Sequence, residues 1–110
     1  MAINTLITAE EWGDFLVIFS NDTRGRAVII QVIDPVSGDA GEVARGPLLA
    51  IDYDPIGKGN DIIVSLGTEE IENSHTIEAP EELWRAQHNN GEIIALEIID
   101  QNGGKTILSL

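Results

Sequence analysis

Residues 52–57, with the sequence Asp-Tyr-Asp-Pro-Ile-Gly, are spaced like the opening of a calcium-binding loop. Such a loop begins D-x-D-x-x-G and places further oxygen ligands at fixed later positions, ending with a bidentate glutamate. Here Ile56 occupies the third ligand position and Ile63 the closing one. Because two essential ligands are missing, we interpret this segment as an acidic loop between strands and predict no metal site.

The two histidines, His75 and His88, are the other side chains that could bind a metal or act as a base. A metal pair of His75 with Glu72 or Glu78 can be imagined, but neither spacing is a recognised ligand signature. The chain also lacks a nucleophile-elbow glycine pattern and contains no cysteine. We therefore predict no catalytic residue, no cofactor and no metal.

Residues 69–82 form an acidic window that contains no lysine or arginine. Its glutamates are Glu69, Glu70, Glu72, Glu78, Glu81 and Glu82. The window could dock a basic protein or mimic the charge of a nucleic acid. It could equally be a solvated edge that discourages aggregation between sheets, and we favour this structural interpretation.

Trp84 is the residue whose type and neighbours best fit a protein contact. Aromatic residues next to arginine are typical of interface hot spots, and Arg85 follows directly. The predicted interaction residues are these two together with part of the acidic window: Trp84, Arg85, Glu69, Glu70, Glu72, Glu81 and Glu82.

The composition indicates one soluble domain spanning residues 1–110. A net charge of −13 argues against direct binding to nucleic acid or to an anionic membrane, since both require a positive surface. The first seven residues carry no basic residue and are too short for a signal peptide, and the apolar runs elsewhere are far too short to span a bilayer. We expect a cytoplasmic protein.

The elements that would position these residues begin with one helix over about residues 9–21. Thr8 and Glu11 have the spacing of a capping box, which starts a helix by satisfying backbone N–H groups reciprocally. The apolar stripe of the helix has a period of 3.6 residues and consists of Trp12, Phe15, Leu16 and Phe19.

Beyond Gly25 the sequence changes to short β-branched runs separated by turns. Strands are predicted over residues 26–33, 42–45, 48–53, 61–66, 74–78, 93–100 and 105–110. In the last hairpin we predict a three-residue loop at 102–104, which pairs Ile98 with Leu108 and Ile99 with Ile107. The segment 79–87 has local helix signals but could also be a strand.

Two of the predicted strands carry large apolar residues on both faces. In residues 26–33, Ile29 and Ile33 alternate with Val28, Ile30 and Val32. The strand at 93–100 places Leu96 and Ile98 on one face, and Ile93 and Ile99 on the other. A single helix covers only one face of an open sheet, so the second face must be buried by curling, by a loop or by another chain. We predict an α+β fold with the N-terminal helix packed on a curled, mostly antiparallel sheet of about six to seven strands, barrel-like or open, and a homodimer.

Several short motifs resemble a family of uncharacterised single-domain bacterial proteins of about this length. They are the 8–12 stretch Thr-Ala-Glu-Glu-Trp with Phe15 and Phe19, Arg24-Gly25, Arg45-Gly46-Pro47-Leu48, His75-Thr76-Ile77 with Pro80, and the hairpin through Gly103 and Thr106 to Leu108. The match runs in order along nearly the whole chain. The resemblance implies that residues 83–87 form a strand, and it implies no activity, catalytic residue or cofactor.

The leading functional hypothesis is a small acidic module that acts without catalysis through protein contacts, including contacts with its own copy. The alternative is a small-molecule or metal-binding protein whose pocket, inside the curled sheet, would be ringed by His75, Tyr53 and acids. A third hypothesis, an acidic mimic of nucleic acid, requires carboxylates spaced like phosphates along one face.

Overall fold

A computed structural model describes residues 3–55 and 57–110. A 3₁₀ turn, Ala9–Glu11, precedes the helix α1 at Trp12–Thr23. The strands are β1 Ile3–Ile7, β2 Ala27–Ile33, β3 Ala40–Asp54, β4 Asp61–Gly67, β5 Ile71–Glu78, β6 Pro80–Gln87, β7 Ile93–Asp100 and β8 Lys105–Ser109.

The strands form one antiparallel sheet in the order β1-β6-β7-β8-β2-β3-β4-β5. Within the described residues the sheet does not close, and β1 and β5 are its edges. The first half of β3 pairs with β2 and the second half with β4, so this long strand connects the two parts of the sheet. The predicted α+β class with one helix on an antiparallel sheet is confirmed, and the sheet is open.

The eight strands of the sheet differ from the predicted strands in two places. β1 was not predicted: its five residues become a strand by pairing with β6, which is distant in the sequence. The predicted strands at 42–45 and 48–53 are one continuous strand, β3, that passes through Gly46-Pro47 without a break.

The start of the helix differs from the predicted capping box. Thr8 makes no side-chain hydrogen bond to the helix; instead its carbonyl oxygen accepts the backbone N–H of Glu11 at 2.9 Å, which closes a 3₁₀ turn. The Nε1–H of Trp12 donates to the carbonyl oxygen of Ile7 at 2.8 Å. The hydrogen bond from the Trp12 indole to the last residue of β1, rather than a side-chain cap, therefore fixes the start of α1 relative to the sheet.

The apolar stripe of α1 packs on the inner face of the sheet as predicted. Trp12, Leu16 and Phe19 are buried, and the half-buried Phe15 packs against the same core. Ser20 is also buried, and its hydroxyl accepts the backbone N–H of Ile51 in β3 at 3.1 Å. The sheet contributes the remaining buried apolar side chains: Ile7, Val28, Ile30, Leu48, Ile51, Ile62, Val64, Leu66, Ile77, Leu83, Leu96, Ile98 and Leu108.

Strand β6 contains residues 83–87, for which the family resemblance implied a strand, and it begins earlier, at Pro80, against the local helix signals. β6 lies between β1 and β7, and Leu83 pairs with Ile7 on one side and with Ile98 on the other. Leu83 has no exposed surface. Burial between two strands outweighs a weak local helix propensity, which amounts to tenths of a kcal/mol per residue.

The predicted register of the C-terminal hairpin is wrong by two residues, although its faces are right. Leu96 pairs with Leu108, and Ile98 pairs with Thr106 rather than with Leu108. The reason lies in Asp100, whose carboxylate accepts the backbone N–H groups of Asn102 and Gly104 at 2.8 and 3.0 Å. This side chain places the three-residue loop at 101–103, one position earlier than predicted.

Candidate functional site

Trp84 lies on the face of the sheet opposite the helix. It is half-buried, and its Nε1–H donates to Oε1 of Glu82 on the same strand at 2.9 Å. Leu6 of β1 lies directly opposite it on one side and Glu97 of β7 on the other. Leu6 is 48% exposed, so an apolar contact surface continues from Trp84 to the edge of the sheet.

Arg85 is turned to the other face, because successive strand residues alternate. Its guanidinium carbon lies 5.9 Å from the ring centroid of Phe15 in α1, within the range of a cation–π contact. Its Nε atom is buried without a hydrogen-bond partner among the described residues. Trp84 and Arg85, predicted together as interaction residues, therefore do not share one surface.

The structure divides the acidic window between the two ends of β5. Glu69 and Glu70 lie in the turn before β5, while Glu81 and Glu82 lie at the start of β6, after β5 has ended. An extended strand rises about 3.3 Å per residue, so the eight residues of β5 hold these two groups ~23 Å apart. Glu72 is exposed on β5 near the first group. The predicted acidic residues therefore do not form one compact patch.

The side chains opposite the helix form a broad surface, here called the outer face. It comprises the outward side chains of β6, β7, β8, β2 and the first half of β3. Its half-buried apolar members are Ile29, Ile33, Trp84, Ile99 and Ile107. One row across the strands runs in register from Trp84 through Glu97 and Ile107 to Gln31. The surplus apolar face predicted from the sequence is this surface, except that Ile93, predicted to lie beside Ile99, packs against the core on the helix side.

The charges on the outer face are largely neutralised. Glu97 pairs with Lys105, whose Nζ lies 3.1 Å from its Oε1, and Glu42 pairs with Arg45. The third glutamate of the face, Glu82, accepts the Trp84 indole N–H. Three glutamates and two basic residues leave this face close to neutral in a chain whose net charge is −13.

His75 and Tyr53 line separate surface grooves rather than one interior pocket. Tyr53 lines a groove of about 450 Å³ with Trp12 and Glu82, and its ring meets Trp12 edge-on at 5.6 Å. His75 lines another of about 260 Å³ with Glu78 and Asp100. Partial burial lowers the pKa of the His75 imidazole below its usual value. The pocket ringed by His75, Tyr53 and acids is therefore not brought together.

Asp52 and Asp54, predicted to lie in an acidic loop, belong to strand β3, and Asp54 is part of a small group of carboxylates at the ends of three strands. Asp54 of β3 pairs with Asp61 of β4, which pairs with Glu78 of β5. Burial, followed by the nearby Asp54 and Glu78 carboxylates, raises the pKa of the Asp61 carboxyl. Across residues 3–55 and 57–110, no group of three or more histidine, aspartate or glutamate side chains is arranged to hold a metal ion.

Comparison with known proteins places this chain in a family. Residues 3–110 match the model of a family of unknown function, DUF5335. The chain belongs to this family. An uncharacterized protein of Aquifex aeolicus (strain VF5) is 29% identical over 104 residues, which cover 94% of this chain and 88% of that protein. No solved structure matches.

Membership of DUF5335 confirms the family resemblance that the sequence motifs suggested. The family carries no assigned function, and the Aquifex relative is itself uncharacterized. Among the described residues, the one helix is too short to cross a membrane.

Two features of the surface escaped the sequence argument. Leu6 lies opposite Trp84 because β1 pairs with β6. No local pattern in the sequence indicates this pairing. On the helix, Val17 and Ile18 are 59% and 60% exposed, although they lie within an apolar run. The run Phe-Leu-Val-Ile-Phe at 15–19 could have shown this excess, because one packing stripe cannot cover five consecutive apolar residues.

Proposed function

We propose that this chain is a non-catalytic protein-contact module that forms a homodimer through its outer face. The observation that carries the proposal is an apolar sheet surface that neither the helix nor a loop of the described chain covers. Ile29, Ile107 and Trp84 are half-buried there, and their remaining surface would leave water on contact with a second sheet. Burial of apolar surface is the main favourable term in association.

A second copy of the chain is the partner that fits this surface, because the outer face carries little net charge. Two chains of net charge −13 repel one another, so they can approach closely only through a surface of low charge. On the outer face, Lys105 neutralises Glu97 and Arg45 neutralises Glu42. A two-fold axis would place the same neutral, apolar surface on both partners.

The size of the outer face supports the same conclusion. Five strands about 4.8 Å apart and about seven residues long give a projected area of ~550 Å². Side-chain relief increases the accessible area toward the ~800 Å² per partner that is typical of stable complexes. Two such sheets would stack face to face about 10 Å apart, as in a β-sandwich.

A basic protein, the other partner considered from the sequence, fits the structure less well than a second copy of the chain. It would have to bridge two acidic groups, at Glu69 and Glu70 and at Glu81 and Glu82. Exposed charges separated by more than the Debye length of about 8 Å act almost independently at physiological salt. Such a partner would therefore need a basic surface as long as β5.

The test replaces Ile107, near the centre of the outer face, by lysine. Glu97, the acidic neighbour of Ile107 on β7, is already paired with Lys105, so a lysine at 107 adds an excess charge. Burying an excess charge at an interface costs about 3 kcal/mol or more, so Ile107→Lys should weaken the dimer by roughly a hundredfold. The matched control is Ile71→Lys, which adds the same charge at an exposed position on the edge strand β5. Sedimentation equilibrium measures the dimer fraction, and far-ultraviolet circular dichroism checks the fold.

The two variants give a clear result either way. A dimeric wild type, a dimeric Ile71→Lys and a folded, monomeric Ile107→Lys would support the proposal. If both lysine variants remain dimeric, the dimer uses another surface. A monomeric wild type contradicts the proposal.

A further inference from the structure

The side of the molecule that carries α1 contains a groove of about 320 Å³ between the helix and the β6–β7 hairpin. Its apolar lining consists of the side chains of Phe15, Ile18, Phe19 and Ile93. Ile18 is 60% exposed, so its side chain offers free apolar surface to a ligand in the groove.

The hairpin wall of the groove is held in place by its own hydrogen bonds. The side-chain amide of Gln87 donates to the carbonyl oxygen of Gly91 at 2.9 Å. The backbone N–H of His88 donates to the carbonyl oxygen of Glu92, and that of Glu92 donates to Oδ1 of Asn90. The groove is thus formed without a ligand, which lowers the entropic cost of filling it.

The charges around the groove favour a positive ligand. Asp22 on the helix and Glu92 on the hairpin supply two carboxylates, against the single guanidinium of Arg26. The groove also lies at the C-terminal end of α1, where the helix dipole carries a partial negative charge that favours a cation. The Phe15 ring does not add to this, because the Arg85 guanidinium already lies 5.9 Å from its centroid. Phe19 stacks on Phe15 with ring centroids 5.8 Å apart.

We propose that this groove binds a small organic cation with an apolar body and a single ammonium group. The apolar body would lie on Ile18, Phe19 and Ile93, and the ammonium group would lie between Asp22 and Glu92. Arg26 opposes a second positive charge, so a monovalent cation fits better than a diamine. The groove lies on the helix side of the sheet, so its occupancy is separate from association through the outer face.

Three probes with one apolar body and different charge test the proposal: 3-phenylpropylamine, 3-phenylpropanol and 3-phenylpropionate. Amide chemical shifts in ¹⁵N-labelled protein follow each titration near neutral pH. The amine should shift Ile18, Phe19 and Glu92. Its dissociation constant should be about tenfold lower than that of the carboxylate, with the alcohol between them.

Two neighbouring helix positions provide matched variants. Ile18→Lys places a positive charge in the lining of the groove and should weaken binding of the amine by at least about tenfold. Val17→Lys adds the same charge at a side chain that is equally exposed but does not line the groove, and binding should stay within about twofold. This comparison separates the groove from general attraction to an acidic protein.

Glu92→Gln gives a further readout, because it removes a carboxylate from the exposed rim without touching the core. Binding of the amine should weaken severalfold, while binding of the alcohol should be unchanged. The proposal is overturned if the carboxylate binds as tightly as the amine, if Ile18→Lys and Val17→Lys have equal effects, or if the shifts lie elsewhere on the molecule.

Discussion

Single residues decide which face of the sheet each candidate group reaches. Trp84 and Arg85 are adjacent in the sequence, yet strand alternation sends the indole to the outer face and the guanidinium to Phe15 of the helix. A hot-spot argument from adjacent residues fails on a strand for this reason. Trp84 is therefore better considered with Leu6 and Ile107 than with Arg85.

Asp61 is a residue at which the fold tolerates an unfavourable charge. The Oδ1 atom of Asp61 is buried without a hydrogen-bond partner among the described residues. Asp54 lies opposite Asp61 on β3, and Glu78 lies opposite it on β5. The pKa of its carboxyl is raised by burial first and then by these neighbours. Ionised Asp61 should therefore destabilise the folded state.

We predict that Asp61→Asn stabilises the protein at neutral pH. A folded-state pKa above the unfolded value of about 3.8 means that the wild type loses stability as the pH rises through the interval between the two. The gain from Asp61→Asn should be largest at pH 7 and should shrink as the pH falls toward 4.

Urea denaturation of both proteins across this pH range measures the effect. Asp52→Asn, at an exposed position on β3, is the matched control and should change the free energy of unfolding little. A destabilised Asp61→Asn at pH 7 would contradict the assignment of an unfavourable charge to Asp61.

Whole elements show which parts of the fold local sequence signals can predict. The α1 stripe and strands β2 and β4 were predicted within a few residues, because their apolar pattern matches the face that they bury. β1 and β6 were not resolved from the residues alone, since each becomes a strand by pairing with a distant segment. The outer face was foreseen from Ile29, Ile33 and Ile99, but its edge at Leu6 depends on β1.

The C-terminal hairpin shows how one turn side chain sets the register of an element. The apolar match of Ile98 with Leu108 favoured a register that the structure does not adopt. The Asp100 carboxylate instead accepts two backbone N–H groups within the loop. Such a turn signal has no counterpart in the apolar pattern, so periodicity alone cannot find it.

We predict that Asp100→Ala destabilises the protein by about 1–2 kcal/mol, because two charge-assisted hydrogen bonds are lost. The control Asn102→Ala lies in the same loop and should cost less than about 0.5 kcal/mol, as an exposed position usually does. Chemical denaturation of both variants measures these differences. Equal effects of the two substitutions would show that Asp100 does not hold the loop.

At the scale of the whole molecule, an open sheet with one helix leaves one large face without a covering layer. The sheet of this chain is wide enough for a stable interface, and its outer face is close to neutral in an otherwise acidic protein. Charge repulsion between two copies and apolar attraction across the outer face therefore oppose each other. Salt screens the charge repulsion and leaves the apolar attraction largely intact.

The most direct test of the homodimer is the mass of the unmodified chain by sedimentation equilibrium at micromolar concentration, in low and in high salt. We predict a mass approaching twice the 11.9 kDa of the single chain, with a dimer fraction that rises with salt. A mass of one chain at every concentration and both salt conditions would contradict the proposed function.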